Sequence, residues 1–266
     1  MIVTTINVNG VRAAVRQRSE DNLGLLDWLT QTAADVVCLQ ETRADDAQLS
    51  QALAPALDEG WQLASAEPHL KGRSGVAILS RTPFDAVRVG LPATEFAQHG
   101  RYLEADVDGV TVGSLYVHTG EAGTDRQLEK ERFMAALAKR MAELAAEGRH
   151  AVLCGDWNIA HTEHDIKAWK ANVKKSGFLP AERQWLTEVM QTGWVDVVRS
   201  LHPEGPGPYS WWSWRGKAFD NDAGWRIDYH LATSGLAGRA RAARVEKPAA
   251  YALRWSDHAP VTVEFD

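Results

Sequence analysis

The chain has 266 residues, is 45% hydrophobic and carries a formal charge of −6, which bounds it to one large or two small domains with enough apolar content for a sizeable core. The acidic balance excludes capture of a polyanion by bulk charge, so any nucleic-acid contact must come from a local basic face or a bound metal. The first residues carry no basic segment and no apolar run reaches the length of a membrane span, so no membrane partner is expected and the cytoplasm is the expected location.

Ile2–Asn7 reads as a first strand. Leu25, Leu26 and Leu29 share one face of a helix, and residues 35–40 return as a strand. Val76–Ser80, Tyr102–Val107 and residues 111–117 are further strands, the last two separated by Asp108-Gly109-Val110, a hairpin signal. Met134, Leu137, Met141 and Leu144 recur at helical spacing ahead of Gly148, a helix stop, and read as core packing. Residues 151–154 form a strand. Cys38 and Cys154 lie inside apolar strands and read as buried reduced thiols, not as a disulfide or a metal site. Pro180 opens a helix carrying Trp185, Leu186, Val189 and Met190. Residues 226–232 and Val261–Phe265 close the chain as strands. Strands linked partly by hairpins and partly by helices argue for mixed sheet layered with helices. No linker or composition break divides the chain, so one domain over 1–266 is expected. Trp211, Trp212, Trp214 and Trp225, four of eleven tryptophans, cluster enough to suggest an aromatic surface as well as core.

Polar residues gather where strands end. Asn7 and Asn9 follow the first strand; Glu41 follows the second. Asp156 and Asn158 follow the run Ala151-Val152-Leu153-Cys154-Gly155, spaced by two, so they project together if strand geometry persists past Gly155. Asp228 sits in Arg226-Ile227-Asp228-Tyr229, and Asp257 and His258 precede the last strand. Each has an ordinary alternative: a turn at Asn7-Val8-Asn9-Gly10 or Gly155-Asp156, a solvated Glu41, a capping Asp257, a surface His258. Their joint placement favours a site, because ligands gather at strand ends of layered α/β folds. Carboxylates and amides are hard oxygen donors suited to Mg²⁺. His/Cys spacing for zinc, a glycine-rich phosphate loop and Gly-x-Ser-x-Gly are all missing.

Thr5-Ile6-Asn7-Val8-Asn9-Gly10-Val11-Arg12, Leu39-Gln40-Glu41-Thr42, Gly155-Asp156-Trp157-Asn158, Trp225-Arg226-Ile227-Asp228 and Ser256-Asp257-His258 resemble, in order, the signatures of the exonuclease III family of apurinic/apyrimidinic endonucleases, within the endonuclease/exonuclease/phosphatase superfamily. The stretch from Asn158 to Pro180, with Lys170-Ala171-Asn172 and Ser176-Gly177-Phe178-Leu179-Pro180, resembles the DNA-repair branch and not the lipid or inositol phosphatases.

The resemblance implies a four-layer α/β sandwich, two packed mixed β-sheets flanked by helices. It implies Mg²⁺, with Mn²⁺ as a substitute, held chiefly by Glu41 with Asp257 and Asn9, and with Asn7, Asp156 and Asn158 in the ligand neighbourhood. Asn7 would hold Asp156; Asp156 would activate water; Asn158 and Tyr116 would touch the scissile phosphate; His258, oriented by Asp228, would donate to a nonbridging oxygen. Trp211, Trp225 and Ile227 match a pocket for a flipped-out abasic sugar, and Asn172 a further phosphate contact. Lys175 replaces an asparagine common in relatives, His118-Thr119 stands where Pro-Asn is frequent, and Arg215 lies in a variable segment as a candidate wedge or phosphate partner. Further basic candidates are Arg12, Arg16, Lys71, Arg73, Lys167, Lys170 and Lys174. The implied partner is double-stranded DNA with abasic sites or blocked 3′ ends, and the implied state a monomer. The implied activity is incision 5′ to abasic sites leaving a 3′-hydroxyl, with 3′→5′ exonuclease and 3′-phosphatase or phosphodiesterase action. The alternatives are a phosphoesterase of small phosphate esters and a catalytically silent nucleic-acid-binding relative.

Overall fold

A computed structural model describes residues 1–68, 70, 72–91 and 94–266; Lys71, one of the basic candidates, lies outside them. Strand β1 (Ile2–Asn7) leads through helices α1 (Val11–Ala14) and α2 (Leu25–Gln31) into β2 (Val36–Gln40), parallel to β1. Helix α3 (Asp46–Asp58) and strands β3 (Gln62–Ala66) and β4 (Val76–Ser80) follow, β4 antiparallel to both β2 and β3. The chain then leaves for a second sheet: β5 (Ala86–Val89), β6 (Tyr102–Val107), β7 (Val110–Tyr116), α4 (Asp125–Ala146), β8 (Ala151–Asp156), α5 (Pro180–Gln191), β9 (Trp194–Asp196), α6 (Val197–Leu201) and β10 (Asp228–Thr233). Helix α7 (Ser234–Ala237), β11 (Ala240–Val245) and β12 (Val261–Phe265) return to the first sheet, where β12 pairs antiparallel with β1.

The strand orders are β11-β12-β1-β2-β4-β3 and β5-β6-β7-β8-β10-β9. Each sheet is mixed and has one parallel pair at its centre, β1–β2 and β7–β8. Val3, Cys38, Ile78, Val112 and Cys154 fill the space between the sheets. Ile6, Leu39 and Leu79 face the other way, onto Leu25, Leu29, Leu49 and Leu53 of α2 and α3. Leu153 and Leu231 face Met134, Leu137, Met141 and Leu144 of α4. Both faces of each sheet are covered, which explains the continuous apolar runs of the central strands. The architecture is a four-layer α/β sandwich. The two thiols are free and buried in the inter-sheet layer.

Several elements differ from the sequence reading. β7 begins at Val110, because Asp108 and Gly109 (φ 50 and 77) make a two-residue turn with both central residues left-handed. β10 begins at Asp228 rather than 226. The helix Asp46–Asp58 and the strands β3, β5, β9 and β11 were not expected. The four strands occupy sheet edges, where one-sided burial leaves short or weakly apolar sequences.

Candidate active site

The carboxyl-terminal ends of the two central parallel pairs carry the site. β1 ends at Asn7 opposite Gln40, which delivers Glu41. β7 ends at Tyr116 opposite Asp156. The antiparallel register of β10 with β8 sets Asp228 directly across from Asp156. The residue before β12 that matters, His258, is bridged to Trp211, which in turn bridges Trp225.

Asn7 is fully buried and joins the sheets. Its Nδ2 donates to Glu41 Oε1 at 2.9 Å and to Asp156 Oδ2 at 2.9 Å, so the carboxylates of residues 41 and 156 stand within two hydrogen-bond lengths. Its Oδ1 accepts from the Asn9 N–H at 2.9 Å. With both ends of its amide engaged, Asn7 is a spacer between carboxylates. Asn9 Nδ2 donates to Asp257 Oδ1 at 2.8 Å, and Trp211 Nε1 donates to Asp257 Oδ2 at 3.1 Å.

β8 does run through Gly155 to Asp156, but strand geometry ends there: Asn158 has φ 48. Asp156 and Asn158 converge through a side-chain turn instead. Asp156 Oδ1 accepts from the Asn158 N–H at 2.9 Å, and Asn158 Nδ2 reaches Asp156 Oδ2 at 2.9 Å and the Val117 carbonyl at 2.9 Å. Asn158 Oδ1 accepts from Thr119 Oγ1 at 3.0 Å, so this amide too acts as a holder of Asp156. His258 Nδ1 donates to Asp228 Oδ2 at 2.8 Å, and its Nε2 stands 3.8 Å from Asp156 Oδ2.

Burial above all lifts the Asp156 carboxyl to about 8, with His258 pulling it down and Asp228 and Glu41 adding to the rise. Burial works against a charged His258, but Asp228, Asp156 and Asp257 outweigh it and lift the imidazole to about 10. Burial, with Glu41 and Asp156 nearby, pushes the Tyr116 phenol well above its ordinary value, so Tyr116 is a neutral donor.

Asp156, Asn158, Asp257 and His258 open into a cavity of about 440 Å³ whose far wall is Trp211, Trp225 and Ile227. The two indoles meet edge to face, centroids 6.1 Å apart. Asn172 and Lys175 lie on its rim. A second, larger groove of about 940 Å³ adjoins it and contains Tyr116; Glu41, Arg43 and Thr119 are common to both. Arg12 and Arg215 are exposed and line neither cavity. Asn7 and Asp228 sit behind the cavity wall.

Among the described residues no three His, Cys, Asp or Glu side chains form a ready-made metal cage. Glu41 and Asp257 are instead two partly buried carboxylates facing the same cavity, with Asn9 beside them. Such a sparse, oxygen-only set suits Mg²⁺, which keeps several waters and completes its shell with a substrate phosphate. It does not suit zinc.

Two supports were missed from sequence. Lys130 Nζ, fully buried, donates to the Asn158 carbonyl at 2.9 Å and to Glu182 Oε1 at 2.7 Å. Its signal was available, since residue 130 continues the apolar stripe of 134, 137 and 141 on α4 and a lysine there needs a buried partner. Arg43 grips Glu41 from two residues away, which no periodicity reveals.

The chain belongs to the endonuclease/exonuclease/phosphatase family, whose signature matches residues 4–258. Within it the similarity runs to exodeoxyribonucleases and AP endonucleases. The chain is 34% identical to an exodeoxyribonuclease of Bacillus subtilis, over 96% of this chain and 95% of that protein. It is similar in structure to the 3′-5′ exonuclease NExo of Neisseria meningitidis, with a TM-score of 0.90, 33% identity and full coverage of both chains. An AP endonuclease from Archaeoglobus fulgidus aligns with a TM-score of 0.88 and 27% identity over 100% of this chain and 99% of that one.

Proposed function

We propose that this protein is a Mg²⁺-dependent DNA-repair phosphodiesterase, with Mn²⁺ able to replace Mg²⁺. It incises duplex DNA 5′ to abasic sites, leaves a 3′-hydroxyl, and removes 3′ nucleotides and 3′-blocking groups from the same site. It acts as one domain, as a monomer and in the cytoplasm. The observation that carries the reading is the Asn7-spaced pair Glu41 and Asp156, with protonated His258 facing Asp156 across 3.8 Å, at the mouth of an aromatic-walled cavity too small for a stacked duplex.

Asp156, lifted to about 8, is a better proton acceptor than a solvated carboxylate and is matched to near-neutral pH. It takes the proton of the attacking water, whose oxygen bonds to phosphorus as the bond to the 3′ oxygen breaks and the 3′ oxygen takes up a proton from solvent. His258 donates to a nonbridging oxygen as negative charge builds there, and Asn158, whose two amide N–H bonds are taken by Asp156 and Val117, holds Asp156 beside the scissile phosphate; one such preorganised donor is typically worth about 3–4 kcal/mol of barrier. Tyr116, neutral, adds a hydroxyl donor from the neighbouring groove. Glu41 and Asp257 would hold a divalent ion, which would supply positive charge at the phosphate and at the leaving oxygen. Trp211, Trp225 and Ile227 receive the flipped sugar; a cavity of about 440 Å³ closed by two indoles admits a base-free sugar more readily than an intact nucleotide. Asn172 and Lys175 at the rim, and Arg12 and Arg215 beyond it, take flanking phosphates.

The test is a duplex carrying one tetrahydrofuran abasic analogue, incubated with Mg²⁺ and resolved on a denaturing gel. The wild type cuts 5′ to the analogue and Asp156→Asn does not. An intact strand with the wild type, alongside turnover of a small phosphate monoester, would move the assignment to the small-ester alternative.

A further inference from the structure

The two oxygens of Glu41 are held differently. Oε1 accepts from the neutral Asn7 amide at 2.9 Å, and the carboxylate is also hydrogen-bonded by the Tyr116 hydroxyl. Oε2 accepts from Arg43 Nε at 2.9 Å and from Arg43 Nη2, a two-pronged grip. The grip closes over only two residues because the backbone is left-handed at both, with φ 50 at Glu41 and 50 at Arg43, a region that residues with side chains rarely adopt. That turn is fixed from outside: the Thr42 N–H donates to Gly75 O at 3.0 Å and the Arg43 N–H to Ser74 O at 2.9 Å. The guanidinium sits on the wall common to the aromatic-walled cavity and the larger groove. Arg43 therefore stands on one oxygen of a carboxylate that lines both cavities, where a cation and a phosphate would meet.

We propose that Arg43 is a positioning residue that competes with the divalent cation for Glu41 Oε2, and that cation capture frees its guanidinium for the DNA phosphate. This rests on the metal-dependent reading above. A guanidinium and a dication on one carboxylate oxygen repel each other across a few ångströms, so each weakens the other's hold. The planar fork of arginine matches phosphate as well as carboxylate, and the wall it occupies puts phosphate within its reach. Cation loading and strand binding are thereby coupled through one side chain.

Mn²⁺ binding without DNA, followed by the electron paramagnetic resonance signal of free Mn²⁺, tests the competition. Arg43→Met is expected to bind Mn²⁺ roughly tenfold more tightly than the wild type, with Arg43→Lys, a point charge without the fork, in between. An Arg43 that merely braces Glu41 predicts weaker binding in Arg43→Met; that result, or an unchanged affinity, overturns the proposal. Wild-type affinity in Glu41→Gln would instead overturn the metal site itself, a distinguishable failure. The release is read in an Asp156→Asn host with the tetrahydrofuran duplex. Mn²⁺ is expected to tighten duplex binding, and adding Arg43→Met to diminish that gain; an equal gain in both overturns the coupling.

Discussion

His258 Nδ1 donates to Asp228 Oδ2 at 2.8 Å in a pair that is almost wholly buried. Among the described residues the other Asp228 oxygen has no hydrogen-bond partner, so this imidazolium is the main counter-charge for that carboxylate. Register explains why it is needed. Asp228 and Asp156 are direct partners on adjacent antiparallel strands, and like charges so placed repel. His258 lies between them and offsets the repulsion, which leaves its own proton firmly held; Asp156 stays basic because burial, Asp228 and Glu41 outweigh the pull of His258.

This arrangement predicts a bell-shaped pH dependence of kcat/KM. Asp156, raised to about 8, must lose its proton to act as base, so activity climbs as pH rises through that region. His258, raised to about 10, must keep its proton, so activity falls as pH passes that value. Asp228→Asn removes the neighbour that does most to raise His258. The alkaline limb then moves from about 10 towards the ordinary imidazole value of 6.5, and kcat falls roughly 10²–10³-fold. Incision rates measured from pH 6 to 11 check this; an alkaline limb that stays in place in Asp228→Asn contradicts it.

The pocket wall depends on a buried ion network. Arg226, between Trp225 and Ile227, donates from Nε to Asp165 Oδ1 at 2.7 Å and forks onto Asp196 at 3.1 and 2.8 Å. Asp165 also accepts from Arg199 Nη2 at 2.6 Å. Asp165→Asn leaves Arg226 short of a counter-charge at 1% exposure and is expected to cost about 3–5 kcal/mol. Burial works against the Asp165 charge, but Arg226 and Arg199 outweigh it and hold the carboxyl well below its ordinary 3.8. Its contribution is therefore present above about pH 4 and fades on acidification. Urea unfolding at pH 7 and pH 3 reads both effects, since the gap between variant and wild type should narrow at the lower pH.

Much of the site was visible in the sequence because strand ends leave a local mark: an apolar run that stops at a polar residue. Asn7, Glu41 and Asp156 all showed it; Asp228 instead opens its strand. The convergence of Asp156 with Asn158 was anticipated for a different reason from the one observed, since a hydrogen-bonded turn and not the strand's period brings them together. Arg43 and Lys130 left fainter traces. Arg43 reaches Glu41 only through a left-handed turn fixed by Ser74 and Gly75, more than thirty residues away. Lys130 finds Glu182 across two helices. Edge strands such as Ala86–Val89 were missed because they are short and largely exposed, so no apolar period marks them.

Gly155 has φ 152, and a Cβ there would stand 1.9 Å from the Leu115 carbonyl oxygen. That carbonyl belongs to the central pair of the second sheet, one residue before Tyr116 and Asp156 face each other. Gly155→Ala must push β7 and β8 apart at the site. The expected cost is about 3 kcal/mol of stability together with a loss of about 10²-fold in kcat, the scale associated with a 1 Å misplacement of catalytic groups. A thermal melt and single-turnover incision separate the two effects; an active enzyme that is merely less stable would show that the strands yield elsewhere.

Trp211 and Trp225 form one wall but do different work. Trp211 Nε1 donates to Asp257 Oδ2 at 3.1 Å; Trp225 lines the same cavity and meets Trp211 at 89°. Trp211→Phe keeps an aromatic ring and removes the donor that orients Asp257. The Mg²⁺ concentration for half-maximal incision is expected to rise several-fold, corresponding to about 1 kcal/mol for one hydrogen bond to a charged group that is partly exposed. Trp225→Phe leaves the Mg²⁺ requirement unchanged and widens the pocket, so cleavage at an intact nucleotide gains on cleavage at the abasic analogue. Mg²⁺ titrations and the ratio of the two cleavage rates, measured for both variants, distinguish the roles; a shared effect on both readouts would mean that the indoles act as one structural unit.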